Sequence, residues 1–210
     1  MVASPQSFAS PEAAGWLEQL ETTFRSRSLI HLAAGSPVPL LSDHVWLVVR
    51  GMVRLSTCQM SGDEALLGLA GPNEPFGRPL SAVDPYDAIT LTASDLLCLR
   101  WDEIIGDPQL SSLLLQALAR RYRQAEALLA LMGLRRVEER LRAFLELLAA
   151  DYGQPVEAGV RIGVRLTHQD LANALGSTRV TITRLLGQLR EEGWLVLESG
   201  RHLVVAHRRR

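Results

Sequence analysis

The residues best suited to chemistry lie between positions 166 and 195, where polar side chains alternate with leucines at helical spacing. Arg179 and Arg184 would share one face of a helix with Val180 and Thr183. An arginine can donate two parallel hydrogen bonds to guanine, and the methyl groups of valine and threonine can pack on thymine. This face therefore predicts the reading of base pairs in the DNA major groove.

The flanking residues predict two short helices joined by a tight turn. Thr167 with Asp170 three residues later is typical of a capping box, and Gly176 suits the turn between the helices. The alternative is a surface helix with two solvated arginines, which does not explain the cap, the turn and the following hairpin together. The combination predicts a helix-turn-helix. Four residues are placed to hold phosphates, which sets register without reading sequence: Thr167, Gln169, Ser177 and Thr178.

The preceding sequence predicts the elements that carry this unit. From Leu29 to Arg100, short apolar segments separated by Gly, Pro and Asp indicate a β-sandwich or roll, with a hairpin turn at Arg50-Gly51. Helical spacing recurs later in the chain. The remaining predicted elements are a short helix over Ala13–Phe24, a long helix from Pro108 to about Met132, a helix over Arg135–Tyr152, a loop over Gly153–Gly163, and a hairpin of Trp194–Leu197 and His202–Ala206 turning at Ser199-Gly200.

The predicted fold class is therefore α+β, with three parts along the chain. Residues 1–106 would form a β-roll sensor, 107–134 a dimerisation helix, and 135–210 a winged helix-turn-helix domain. Charge follows the same division: residues 1–134 contain 9 Arg and 14 Asp plus Glu, whereas 135–210 contain 13 Arg and 9 Asp plus Glu. A basic C-terminal part suits a polyanionic partner such as double-stranded DNA.

Residues in the long helix recur at alternating spacings of four and three, which is the heptad pattern of a parallel two-helix seam in a homodimer. Arg121 interrupts this pattern, and burying its guanidinium unpaired would cost several kcal/mol. We expect a carboxylate such as Glu126 from either subunit, solvent at the edge of the seam, or an anionic effector to meet it. The predicted seam residues are Leu114, Leu118, Arg121, Ala125, Leu128 and Met132.

The segment GSTRVTITRLLGQLREEGWL resembles the recognition helix of the Crp/Fnr superfamily, and within it the nitrogen-control branch. The resemblance extends from about Leu29 to Ala206. It implies a cyclic-nucleotide-binding-like β-roll, and RNA polymerase as a further partner. It also implies that Arg179, Val180 and Arg184 read a GTA-N8-TAC-like palindrome, while Gln169 and Thr178 contact the backbone.

The segment LLLQALARRYRQAE resembles the matching helix of that branch, which implies that Arg121 and Glu126 help to bind 2-oxoglutarate. Phe76-Gly77 matches a segment whose backbone amides face this effector. The loop after Gly77 is shorter than in the family, and Arg78 is its only arginine before Arg100. Two hypotheses follow: a regulator that responds to 2-oxoglutarate, and a ligand-independent regulator whose degenerate sensor is controlled by a protein partner.

Other classes of function lack their motifs. Gly77 is followed by Arg78-Pro79 where the superfamily has a ribose-binding Glu, which argues against a cyclic nucleotide. Groups of cysteines or histidines typical of haem, iron–sulfur or metal sites are missing, as are a phosphate loop and a nucleophile elbow, so we expect no enzyme and no certain cofactor. Without a signal peptide or an apolar run of ~18 residues, we expect a cytoplasmic protein with no membrane partner.

Overall fold

The computed structural model describes residues 28–60, 62, 64–198 and 202–207. Contacts divide the chain into two compact units, and the boundary lies within the long helix, between Glu126 and Ala127. The helix predicted for Ala13–Phe24 lies outside the described residues. Within them, no helix combines the length and apolar character that crossing a membrane requires.

The N-terminal unit contains two antiparallel sheets, as the alternation of apolar segments and turns predicts. The strands are β1 (Ile30–Leu32), β2 (His44–Arg50), β3 (Val53–Cys58), β4 (Glu64–Ala70), β5 (Pro75–Phe76), β6 (Asp87–Thr90) and β7 (Ser94–Arg100). A four-stranded sheet has the order β1-β7-β2-β5 and a three-stranded sheet the order β4-β3-β6. The predicted hairpin at Arg50-Gly51 is wrong, because the chain passes there from one sheet to the other.

Strand β2 is apolar along a continuous run, instead of alternating between apolar and polar residues, because each of its two faces packs against a core. Trp46 and Val48 join a core with residues of both sheets, whereas Val45 and Leu47 join a second core on the opposite face. That second core contains residues of the following helices, so both faces of the strand are buried. A strand covered on both faces is expected to be apolar at every position.

Two helices complete the packing of this unit: α1 (Trp101–Gly106) and α2 (Pro108–Met132). The Asp107 carboxylate accepts hydrogen bonds from the backbone amides of Gln109 at 2.8 Å and Leu110 at 3.2 Å. A carboxylate at this position and proline as the first helical residue both favour a helix start. The bounds predicted for the long helix are confirmed.

The C-terminal unit combines three helices with a four-stranded sheet, whose strands lie in the order β10 (Leu195–Glu198), β11 (His202–Ala206), β9 (Gly159–Ile162) and β8 (Gly153–Val156). The loop predicted over Gly153–Gly163 is wrong, since this segment forms a paired hairpin. The Gly and Pro residues of this segment interrupt the residue pattern by which a strand is recognised in a sequence. The wing strands are as predicted to within one residue, and their turn at Ser199-Gly200 lies outside the described residues. The elements are α3 (Val137–Tyr152), β8 (Gly153–Val156), β9 (Gly159–Ile162), α4 (His168–Leu175), α5 (Arg179–Glu191), β10 (Leu195–Glu198) and β11 (His202–Ala206).

Candidate nucleic-acid interface

Helix α4 begins at the predicted capping box. The Thr167 hydroxyl accepts a hydrogen bond from the Asp170 amide at 3.0 Å, and the Asp170 carboxylate accepts one from the Thr167 amide at 2.8 Å. The same carboxylate accepts the Thr167 hydroxyl hydrogen at 2.7 Å. This reciprocal bonding satisfies two helix-end donors and fixes the direction of α4.

The turn between α4 and α5 requires the glycine that the sequence places there. Gly176 has φ 57° and ψ 50°, the left-handed conformation that ends many helices. A side chain at this φ would cost about 1–2 kcal/mol. Thr178 then caps α5, because its hydroxyl accepts a hydrogen bond from the Thr181 amide at 3.2 Å.

Helix α5 separates an apolar buried face from a polar exposed one. Arg179 and Arg184 are exposed, and Val180 between them is 80% exposed. Throughout the described part of the chain, no carboxylate forms a salt bridge with either arginine. The predicted base-reading side chains therefore lie together on the outer surface. The buried face consists of Ile182, Leu185, Leu186 and Leu189.

Thr183 is exposed on the same face, but its hydroxyl is engaged within the protein. It donates to the carbonyl oxygen of Arg179 at 2.8 Å, and its Oγ1 lies 2.8 Å from Nδ1 of His168. A threonine bonded in this way has no hydroxyl hydrogen left to donate to a base, while its methyl group remains available to pack on thymine. Sequence reasoning missed His168, although its position beside Gln169 at the start of α4 was a usable signal.

A groove of about 830 Å³ extends the exposed surface between α4, α5 and the wing strands. Leucines form part of its lining, and the basic side chains of Arg165, Arg179 and Arg190 also line it. Thr167, His168 and Gln169 line it as well, so two of the four predicted phosphate contacts, Thr167 and Gln169, and the first predicted base contact meet in one concave surface. Arg165 and Arg190 are not among the contacts that the sequence predicts.

The predicted effector residues lie in the N-terminal unit, where Arg121 bonds to its own chain. Its Nη1 donates to the carbonyl oxygen of Leu69 at 2.5 Å and to Oε1 of Gln124 at 2.9 Å. The Gln124 oxygen also accepts the Leu69 amide at 3.2 Å. A Cβ at Gly68 would lie 3.0 Å from each of these two side chains, so glycine permits their close approach. The expected carboxylate partner of Arg121 is replaced by neutral oxygen acceptors.

Tyr86 interacts with three residues of the predicted effector site. Burial raises the pKa of Tyr86, while Arg121, a backbone hydrogen bond from Gly77, and Arg78 each act to lower it. Tyr86 is buried in the core that also contains Phe76. The Gly77 amide, predicted to face an effector, thus meets a side chain of its own chain.

The other two charged groups of the predicted effector site are directed elsewhere. Arg78 forms a salt bridge of 2.8 Å with Asp84. Glu126 hydrogen-bonds the Tyr122 hydroxyl and raises the pKa of that tyrosine, and both residues are exposed. Of the alternatives for Arg121, a pair with Glu126 of the same chain is therefore not the one that the structure contains.

The predicted seam residues divide between two faces of α2. Leu114 packs against the core of its own chain, and Arg121 bonds to β4, so these two residues face the β-roll. Ala125 and Met132 are exposed, and Leu118 and Leu128 are half-buried. Large apolar side chains exposed at a spacing of seven form a different line, which we call the exposed stripe: Leu115, Tyr122 and Leu129.

Comparison with known proteins identifies the family to which the chain belongs. The Crp-like helix-turn-helix domain matches residues 139–210. Regulatory protein CysR of Synechococcus elongatus is 42% identical over 159 residues, which are 74% of this chain and 73% of that protein. The global nitrogen regulator of a Synechocystis strain is 36% identical over 182 residues, or 82% and 78% of the two chains. The chain belongs to the Crp/Fnr family.

Solved structures of Crp/Fnr proteins have the same fold. A CRP-family transcriptional regulator from Thermus thermophilus matches with a TM-score of 0.72 at 21% identity, covering 85% of this chain and 92% of that one. The N-terminal unit is thus the β-roll and the C-terminal unit the winged helix-turn-helix of a Crp/Fnr transcription regulator, close to the nitrogen-control regulators. The described residues contain no group of three potential metal ligands.

Proposed function

We propose that this Crp/Fnr regulator binds a GTA-N8-TAC-like palindrome as a homodimer, with one α5 in each half-site. The observation that carries this proposal is the outer face of α5, where Arg179, Val180 and Arg184 are exposed beside a capped turn. Two symmetric subunits would place two such helices about one turn of DNA apart. RNA polymerase is the further partner that membership of the family suggests.

The individual contacts follow from the chemistry of each side chain. Arg179 and Arg184 would donate to guanine O6 and N7, and Val180 and the Thr183 methyl would pack on thymine. Gln169, Ser177 and Thr178 would hold phosphates. Thr167 donates both its hydroxyl hydrogen and its amide hydrogen to Asp170, so it would hold a phosphate only if this cap opened.

The substitution Arg179→Ala tests the base assignment. It removes a bidentate contact with guanine worth about 1–3 kcal/mol per half-site, so Kd should rise about 5- to 150-fold for each half-site. Fluorescence anisotropy at 150 mM salt, with the palindromic duplex and a scrambled duplex, measures this loss. Binding of the palindrome as tight as that of the wild type would contradict the assignment.

Arg161→Ala is the matched control, because it also removes one arginine from the C-terminal unit. Arg161 donates to Gln154 at 2.5 Å and pairs with Glu198 at 3.5 Å, away from α5. We expect its preference for the palindrome over the scrambled duplex to equal that of the wild type. The ratio of the two affinities therefore separates base reading from general charge.

For the sensor, we propose ligand-independent action in preference to a response to 2-oxoglutarate. Arg121 is engaged by Leu69 and Gln124, Arg78 by Asp84, and the Gly77 amide by Tyr86. A dicarboxylate binding there would have to displace these contacts. Control of the regulator by a protein partner on the β-roll fits this arrangement.

Calorimetry with 2-oxoglutarate and with cyclic AMP tests the sensor proposal. We expect no saturable heat with either compound and the same DNA affinity in their presence, because the candidate donors are already bonded. A saturable heat with 2-oxoglutarate that disappears in Arg121→Ala would overturn the proposal. The intact DNA binding of each protein preparation shows that it is folded.

A further inference from the structure

His168 joins the two helices of the DNA-reading unit through a hydrogen bond whose direction can be deduced. It is the first residue of α4, it is exposed, and its Nδ1 lies 2.8 Å from Oγ1 of Thr183 on α5. The hydrogen of the Thr183 hydroxyl is already directed to the Arg179 carbonyl oxygen. A hydroxyl has one hydrogen to donate. When both hydrogen bonds of Thr183 are formed, Nδ1 of His168 is therefore the donor to the Thr183 oxygen.

The other ring nitrogen, Nε2, has no hydrogen-bond partner among the described residues. In a neutral ring with its hydrogen on Nδ1, Nε2 is an acceptor, and it cannot bond a phosphate oxygen, which is also an acceptor. A protonated ring donates from both nitrogens and carries a positive charge. Only the protonated form can therefore bind a phosphate through Nε2 while Thr183 keeps both of its hydrogen bonds, to Nδ1 of His168 and to the Arg179 carbonyl oxygen.

The charges beside His168 change when DNA binds. Arg165, Arg179 and Arg190 line the same groove as His168. The carboxylate within α4, that of Asp170, is held by the cap at Thr167. Bound phosphates would neutralise the arginines. The protonated ring is consequently stabilised more in a DNA complex than in the free protein.

We propose that His168 is a DNA-backbone contact that acts in its protonated form, and that Thr183 holds its ring in place. Each subunit then takes up a proton when it binds DNA, so affinity rises as pH falls through the range in which histidine titrates. The proposal rests on DNA binding by the helix-turn-helix, as proposed above. It adds a dependence on pH that the arginine contacts do not have.

Binding of the palindromic duplex at pH 6.0, 7.0 and 8.0, at constant ionic strength, tests this inference. We expect the wild type to bind about tenfold more tightly at pH 6.0 than at pH 8.0. His168→Asn should show less than about a twofold change over the same range, since its side chain does not titrate. His168→Arg, which is charged throughout, should bind tightly at pH 8.0 and also show a flat profile.

Two further measurements decide whether His168 is responsible. Calorimetry in two buffers of different ionisation enthalpy should show more protons taken up on DNA binding by the wild type than by His168→Asn. His202→Asn is the matched control, because His202 lies in the wing, where Arg165 donates to its Nε2 at 3.4 Å. We expect His202→Asn to keep the pH dependence of the wild type.

A pH dependence that persists in His168→Asn, or one that disappears in His202→Asn, would overturn the proposal. Failure of the underlying DNA-binding proposal has a different signature. In that case the wild type would not distinguish the palindrome from a scrambled duplex at any pH. The two failures are therefore separated by the scrambled-duplex measurement alone.

Discussion

Asp95 connects three strands of the four-stranded sheet through its carboxylate. One oxygen accepts from Nε of Arg50 on β2 at 2.6 Å, and the other lies 2.5 Å from Nδ1 of His31 on β1. The pKa of Asp95 lies below its ordinary value of 3.8, chiefly because of the hydrogen bond from Arg50 and next because of the hydrogen bond from His31. Because the pKa is lower in the folded than in the unfolded chain, ionised Asp95 stabilises the fold above about pH 3.8. This contribution is lost as pH falls through the folded pKa.

We therefore predict that Asp95→Asn lowers the Tm of the β-roll at pH 7 by about 1–3 °C. The difference from the wild type should shrink as pH falls below about 4, because protonation removes the same charge from the wild-type side chain. Thermal unfolding followed by circular dichroism from pH 3 to pH 7 measures both effects. A Tm difference that is constant over this range would show that the ionised carboxylate is not what stabilises the sheet.

The hydrogen-bond partner of an individual side chain is the feature that the sequence predicts least well. The sequence predicts an anion beside Arg121, because an arginine among leucines signals a buried charge. Arg121 instead uses the carbonyl oxygen of Leu69, which lies 52 positions earlier in the chain. Backbone carbonyls are present at every residue, so nothing in the sequence marks this acceptor. The bond between His168 and Thr183 joins side chains of two helices, 15 positions apart, and is likewise visible only in the structure.

At the scale of elements, predictions succeed where local signals are strong. The helix-turn-helix has a capping box, a glycine with positive φ and a buried stripe, all of which depend on neighbouring residues. The strands of the β-roll are recognisable by their apolar segments and turns. Their pairing is not, since β2 pairs with β5 and β7 rather than with the next strand in sequence. Pairing depends on distant residues.

Helix α2 has the predicted bounds, but the predicted seam combines two of its faces. Both the β-roll and a partner helix would need apolar residues at helical spacing, so the sequence contains two overlapping patterns. Leu110 and Ala117 are buried within the N-terminal unit, which marks one pattern. The exposed stripe marks the other, and exposure in the structure is needed to separate them.

The exposed stripe has consequences for the whole molecule. Leu115, Tyr122 and Leu129 are 70%, 66% and 75% exposed, which is unusual for large apolar side chains repeated along one helix. Their seven-residue spacing suits a parallel two-helix contact with a second copy of the chain. Such a contact would be symmetric, so each residue near the axis would meet its own counterpart.

We predict that Tyr122→Glu converts a dimer into a monomer at micromolar concentration. The new carboxylate would face its counterpart across the two-fold axis and would lie one helical turn from Glu126, so like charges would accumulate at the contact. Light scattering coupled to gel filtration measures the mass. The variant should also lose most of its affinity for the palindrome, since a single subunit can bind only one half-site.

Gln116→Glu is the control for Tyr122→Glu, because it introduces the same charge on α2 at an exposed position outside the stripe. It should remain a dimer and should bind the palindrome as the wild type does. A monomeric wild type would remove the basis for a two-fold reader of DNA. A dimeric Tyr122→Glu would place the contact on another surface, whereas loss of the dimer in both variants would indicate a general effect of charge on α2.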